Sequence, residues 1–568
     1  MEIDAQSRPV VRRSPAEVMR LARLGASHAS RLSFMRVLLR RLQRDGWRVT
    51  RTVWRVDAKG EGVAVYTASG PGDQRYSLVA FGHDMPAHRR SDRVTAEAWD
   101  ATFALVDGVP SEGDLARLGA NVPRQEAGRL TPRELCLARA NRSGRLFDHV
   151  VERLAAGRQP DADAIERVGY VMRTTAVYGS GKFGAADREF VADRPELAEP
   201  FQVEMLAVYL IRAFSLDLVE YLARERAPDA AVPLTPGLRR RLGIGNATGL
   251  GMAPFLINHP ILINNWITAR EEALARVRRL ERAEPERVDV FIARLSQVEA
   301  RARDWHSEHP LQAPRIAALR DDLARLRHHL AAEDVWHEPQ PWDRLYRWSE
   351  TRLSLEGQEQ LVSLLMEPFG DLVDGLACCM SADESLARRI DGTMRMGDLR
   401  RLLQEGYDWA LEVDFASPEA AARLWYVSAE KMEPRLGERG ALSDAYEQPL
   451  APGRDARALF AALADWPDDA RVAALLLRAP EHRRAVRRAQ LAAAFPYAEI
   501  RDNTLAAEMR PVDLLRAKLA FFGATRFDPR SDRWVRITMY QGAPLPDELA
   551  LGDADAWIYD GPDGSTPH

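Results

Sequence analysis

Apolar positions recur at helical spacing from residue 15 to 44, with Ser14 placed to cap the first turn and Pro15 at its first position, so a helix is predicted there. The period then changes. Strands are predicted at 47–56, 62–68, 75–82 and 93–106, with the clearest alternation at Tyr76, Leu78 and Ala80. The connections Asp57–Gly62 and Ser69–Asp73 are rich in turn-forming residues. A small antiparallel sheet carrying one helix satisfies this pattern.

From about 132 to 242 the pattern turns mostly helical. Phe201 to Leu222 is apolar on several faces, through Met205, Leu206, Tyr209, Leu210, Phe214, Leu216 and Leu218, which predicts a helix buried inside a larger body. Residues 260–333 are highly charged but carry two heptad seams. One is Val288, Phe291, Leu295 and Val298; the other is Ile316, Leu319, Leu323, Leu326 and Leu330. Antiparallel helices are expected, forming an arm, a dimer contact or a hairpin packed on its own domain. Beyond 340 the helical pattern resumes at 342–366, 385–391, 396–411, 454–464, 469–493 and 511–521, with strands expected at 423–428, 497–501 and 533–540.

The fold class expected is therefore α+β and predominantly helical. It has a small antiparallel sheet near the N-terminus, a large helical body with a charged helical hairpin, and further short strands near the C-terminus. Four regions are drawn: 1–125, 126–265, 266–340 and 341–568. The chain of 568 residues is 46% hydrophobic, enough for a substantial core. Its net charge of −4 lacks the basic excess of a nucleic-acid binder, and stripes such as Arg239–Arg241 read as solvated faces. No run approaches the roughly 18–20 apolar residues of a membrane span, and no signal peptide is read at Met1–Asp4. Three cysteines, Cys136, Cys378 and Cys379, make no disulfide framework, and the adjacent pair reads as small buried hydrophobes. A cytoplasmic location is expected, with no nucleic-acid or membrane partner.

Composition becomes informative through what is scarce. Of the 79 lysines and arginines only Lys59, Lys182, Lys431 and Lys518 are lysine, and four of the few asparagines fall within 243–267. That window, which also holds Gly243, Gly245, Gly249 and Gly251, contains Asn246, Asn258, His259, Asn264 and Asn265. Glycines let backbone N–H groups approach a ligand, and asparagine offers a donor and an acceptor together. A second window, Arg173–Gly184, places Lys182 in a glycine loop beside Tyr178 and Ser180; the lysine suits a carboxylate or phosphate, or proton transfer if desolvated. Arg501 and Asn503 close a predicted strand and add a polar strand end. Lys182, His259 and Asn258 are the expected catalytic residues. Arg173, Tyr178, Ser180, Asn246, Asn264, Asn265, Arg501 and Asn503 are the expected substrate-binding residues.

Several named motifs are excluded. Gly243-x-Gly245-x-x-x-Gly249 follows an arginine-rich helical stretch, so it is no dinucleotide fingerprint. Residues 176–183 lack the first glycine and the Ser/Thr of a Walker A loop. Ser428 and Lys431 match S-x-x-K without its companion elements. The histidine spacings, including His306–His309, fit no metalloenzyme motif, and no metal site is expected. The cofactor is unknown.

The function expected is a cytoplasmic enzyme acting on a small anionic substrate by general acid–base chemistry, as a lyase, isomerase or hydrolase. Its pocket is expected from loops 173–184 and 243–266, and a homodimer or higher homo-oligomer is expected. One alternative is a non-catalytic scaffold or regulator assembling through helices 286–333; another is a flavin- or haem-dependent oxidoreductase.

Overall fold

The computed structural model describes residues 10–84, 99–125, 127–178, 191, 193–248, 259–305, 313–332, 334–380, 383–417, 451–501, 511–523, 526–528, 535–550 and 555. The chain divides into two compact units. One comprises 28–249, 429–446 and 518–568; the other comprises 1–27, 250–428 and 447–517.

The first unit is built on a sheet of nine strands, much larger than the small antiparallel sheet the sequence pattern suggested. Strands β1 (Arg48–Val56), β2 (Gly62–Ser69), β3 (Arg75–Gly82), β4 (Ala101–Asp107), β5 (Glu134–Arg142) and β6 (Tyr170–Tyr178) follow one another antiparallel. Strand β7 (Gly243–Thr248) joins β6 in parallel. Strands β8 (Arg526–Asp528) and β9 (Val535–Met539) close the order as β7–β9–β8. The sheet is thus mixed, and it recruits strands from a region that reads as helical and from the far end of the chain. Asp57 fixes the first turn by accepting the Lys59 and Glu61 N–H groups at 2.9 Å, with Gly60 at φ +87° where a side chain would be strained.

Helices cover both faces. On one, Val65, Val79, Phe81, Ala104, Val106 and Leu137 pack on Leu115 and Leu118 of α2 (Glu112–Ala120). The other holds α1 (Phe34–Arg44), α3 (Phe147–Ala155) and the 25-residue α4 (Gln202–Arg226), which runs against β2 through β7. Phe214 in the middle of α4 meets Trp54, Tyr66 and Phe103 from β1, β2 and β4 at 5.6–6.5 Å between ring centroids. The all-round apolar pattern of 201–222 thus marks the buried central helix. Strands β3 and β4 are buried on both faces, so the alternation at Tyr76, Leu78 and Ala80 does not mark a solvent-facing side.

Within α4 the fully buried Arg212 donates to the carbonyls of Leu242 (2.8 Å), Arg240 (3.0 Å) and Ala543 (2.8 Å). Burial lowers its pKa to about 10, and these carbonyls accept from its donors. This fork pins the start of β7 to the middle of the helix.

The second unit is helical: α5 (Pro260–Arg278), α6 (Pro285–Asp304), α7 (Ala313–Ala332), α8 (Pro341–Arg352) and α9 (Leu355–Met366), followed by α10 (Met396–Gly406), α11 (Ala451–Ala462), α12 (Val472–Arg478) and α13 (Arg483–Ala494). Its N-terminal segment holds two short helices, Pro15–Val18 and Leu21–Leu24, in place of the single helix expected over 15–44. That segment is fastened by a buried ion network. Arg13 reaches Glu271 and Glu359 at 2.8 Å, Arg23 reaches Glu359 at 3.0 Å, and Arg270 also pairs with Glu359. The heptad seams of α6 and α7 are buried within the unit, with Phe291, Leu295, Leu323 and Leu326 at most 3% exposed, and both helices pack on α9. Arg327 to Glu299 and Arg320 to the Ala302 carbonyl confirm the antiparallel register. Residues 497–501 form no strand, and 423–428 lie outside the described residues. Among the described residues, no helix is long and apolar enough to cross a membrane.

Candidate functional site

The two windows singled out by scarce residues begin on neighbouring strands. Arg173 pairs with Gly245 and Thr174 with Asn246, in the one parallel pair among the described strands. Because β6 and β7 run the same way, both chains leave the sheet at the same edge, after Tyr178 and after Thr248. The carboxyl ends of parallel strands are where open sheets place ligands.

At this edge the side chains form a directed chain. Lys518, in the last turns of α14 (Pro511–Phe522), donates from Nζ to Oδ1 of Asn246 at 2.7 Å. Asn246 Nδ2 donates to Thr174 Oγ1 at 2.9 Å, and Thr174 Oγ1 donates to the Gly245 carbonyl at 3.3 Å. An ammonium can only donate, so the amide oxygen must face Lys518 and its nitrogen must face Thr174. Every polarity in the chain then follows. Thr174 is fully buried, and Asn246 and Lys518 are half-buried.

The Lys518 ammonium also lies 5.8 Å from the Phe522 ring centroid. Phe522 stands edge-on to Phe34 and Phe201, at 5.6 and 4.9 Å. Phe201 precedes α4 with φ at 60°, a costly conformation for a bulky residue, and it stacks on Phe34 at 5.1 Å. The N-terminus of α4, with its partial positive charge, is therefore linked to Lys518 through one aromatic cluster. Its first turn buries Gln202 and Glu204 at 1% and 3% exposure. Arg173, on β6, is 5% exposed.

The glycines of β7 serve packing. A Cβ at Gly243 would sit 2.2 Å from the Met539 carbonyl, and one at Gly245 would meet the Tyr170 ring at 2.7 Å.

The remaining expected residues are distributed as follows. Tyr178 ends β6, paired with Leu137. Lys182, Ser180, Asn258 and Asn503, and also Lys431, lie outside the described residues. His259, Asn264, Asn265 and Arg501 belong to the helical unit. His259 precedes α5 and accepts the Ile263 N–H at 3.0 Å; its Nδ1 is shut from solvent, and burial lowers its pKa to about 4. Asn264 Oδ1 accepts the Tyr497 N–H at 3.0 Å while its Nδ2 donates to Asn265 Oδ1 at 3.1 Å, so this amide clips two segments together. The Arg501 N–H donates to the Met19 carbonyl at 2.9 Å.

Thr174 and Lys518 at the strand edge, and Glu204 in the first turn of α4, are not among the expected site residues. Thr174 carries no compositional signal. Lys518 is a scarce lysine at the start of an apolar helical stretch, a setting that reads as either buried and paired or snorkelling. Glu204 had a visible signal, as the carboxylate in the first turn of an otherwise apolar helix. Cys378 and Cys379 also differ from expectation: both are exposed, and only Cys136 is buried. Among the described residues, no group of three or more His, Cys, Asp or Glu is arranged to hold a metal ion.

Comparison with protein-family models, curated proteins and solved structures gave no match.

Proposed function

We propose that the carboxyl edge of β6 and β7 is the anion site of a cytoplasmic enzyme, working as a homodimer or higher homo-oligomer. Its substrate is a small carboxylate or phosphate, and its chemistry is general acid–base catalysis of the lyase, isomerase or hydrolase type. The observation that supports this reading is the Lys518–Asn246–Thr174 chain laid across a parallel strand pair. A restrained ammonium is a preorganised point charge, because Asn246 holds it without neutralising it. The α4 N-terminus adds a partial positive charge, whereas Arg173, opposite Gly245, alternates to the other face of the sheet from Thr174. Glu204, enclosed in the first turn of α4, supplies a carboxyl group of the kind proton transfer needs. Lys182, expected as catalytic, and Ser180, expected as substrate-binding, follow β6 in the chain and keep those roles in this reading.

The test uses inorganic phosphate and succinate as probes, with thermal unfolding as the readout. Binding to the folded state raises the melting temperature with ligand concentration. The wild-type chain is expected to show this rise with at least one probe, and Lys518→Met to lose it. No rise in the wild type, or an equal rise in both, overturns the reading.

A further inference from the structure

The exposed cysteine pair of the helical unit lies outside the site described above. Cys378 and Cys379 end a 3-10 helix, Asp374–Cys379, that packs on α5. Their sulfurs are 3.9 Å apart, and the Cys378 thiol donates to the Gly375 carbonyl at 3.0 Å. The next residue, Met380, is fully buried and anchors the turn. Two thiols this close, both open to solvent, are within reach of one another and of a small reagent.

We propose that Cys378 and Cys379 form a reversible dithiol–disulfide modification site that reacts with a glutathione-type dialkyl disulfide. One protein thiol loses its proton to solvent, and its sulfur attacks the reagent. The reagent S–S bond breaks, one small thiolate leaves, and a mixed disulfide remains. The second protein thiol loses its proton and attacks the protein-side sulfur, expelling the second small thiolate. The balance is two protein thiols oxidised by two electrons and one dialkyl disulfide reduced to two thiols.

Geometry makes the site a switch rather than a staple. Adjacent residues keep their Cα atoms about 3.8 Å apart, shorter than the roughly 4.4–6.8 Å that disulfides usually span. The closed ring is therefore strained and reopens in reductant. Partial burial and the neighbouring thiol raise the pKa of Cys379 against the pull of the Arg276 guanidinium, so exchange accelerates as pH rises. Closing the ring also reshapes the last turn against α5.

The experiment treats the full-length protein with oxidised glutathione, blocks residual thiols, and weighs the tryptic peptide 353–388, which carries both cysteines and no internal Lys or Arg. The expected product has lost the mass of two hydrogens, carries no glutathione and is restored by dithiothreitol. The peptide containing buried Cys136 serves as the unreactive control. Cys378→Ser and Cys379→Ser should each accumulate a glutathione adduct that cannot resolve. Persistent adducts on the wild-type peptide, linkage between chains or unchanged free thiols each overturn the proposal.

Discussion

Lys518 and Asn246, a scarce lysine and a scarce asparagine 272 positions apart, meet at 2.7 Å between helix α14 and strand β7. The amide accepts from the ammonium on one side and donates to Thr174 on the other, so it restrains a cation while leaving its charge intact.

Asn246 substitutions should separate charge from geometry. Asn246→Ala removes the acceptor of a half-buried ammonium and the donor to fully buried Thr174, and is expected to cost about 1–3 kcal/mol of stability by urea unfolding. Asn246→Asp keeps an acceptor for Lys518 but neutralises its charge. It also loses the donor to Thr174, so it should cost no more than Asn246→Ala while losing the phosphate or succinate response. Retained anion binding in Asn246→Asp would place the anion elsewhere.

Glu359 should govern stability in acid. Burial pushes its pKa up, but the Arg13 and Arg270 guanidiniums outweigh this and hold it at about 2. The pKa is lower folded than unfolded, where it is about 4.3. Its contribution is therefore present above pH 4.3 and lost as pH falls toward 2. Glu359→Gln leaves buried arginines undercompensated and should cost about 3–5 kcal/mol at pH 7. Urea midpoints at pH 7 and pH 3 should converge for the two proteins.

The histidines act in a higher window. Burial lowers His259 and His83 to about 4, against roughly 6.5 in an unfolded chain. The unfolded state binds the proton first as pH falls, so stability drops from about pH 6.5 down to about pH 4. His259→Gln is expected to flatten this slope between pH 7.5 and 5, whatever its effect at pH 7.5. An unchanged slope would show that the imidazole titrates normally in the fold.

The residues explain which parts of this architecture were legible. Strands β1 to β3 were readable because short turns join them and their pairing is local. Strand β5 was hidden because it buries polar groups: Glu134 is fully buried, accepting from the Leu130 N–H at 2.8 Å and Arg117 at 3.2 Å, which breaks its apolar pattern. Strand β7 resembled a loop because Gly243 and Gly245 favour turns in isolation. Their reason, the approach of Met539 and Tyr170, is tertiary. For the site, scarcity pointed to Asn246 and to Lys518 separately. Their meeting joins positions 272 apart, and Asn246 reaches Thr174 through a parallel pairing of positions 72 apart; no local pattern encodes either.

The heptad seams supply the last prediction. Leu295 and Leu323 are buried against neighbouring helices of their own unit, whereas Val290 on α6 is 39% exposed. Leu295→Ala and Leu323→Ala should each cost about 2–5 kcal/mol through the cavity they leave. Val290→Glu should change stability by no more than about 0.5 kcal/mol. If the seams serve the interior, the melting temperature of the leucine variants will depend on protein concentration no more than that of the wild type does, since no association runs through the seams. A melting temperature that falls on dilution in these variants and not in the wild type would assign the seams to an interface between chains, and would favour the assembly role over the packing seen in this unit.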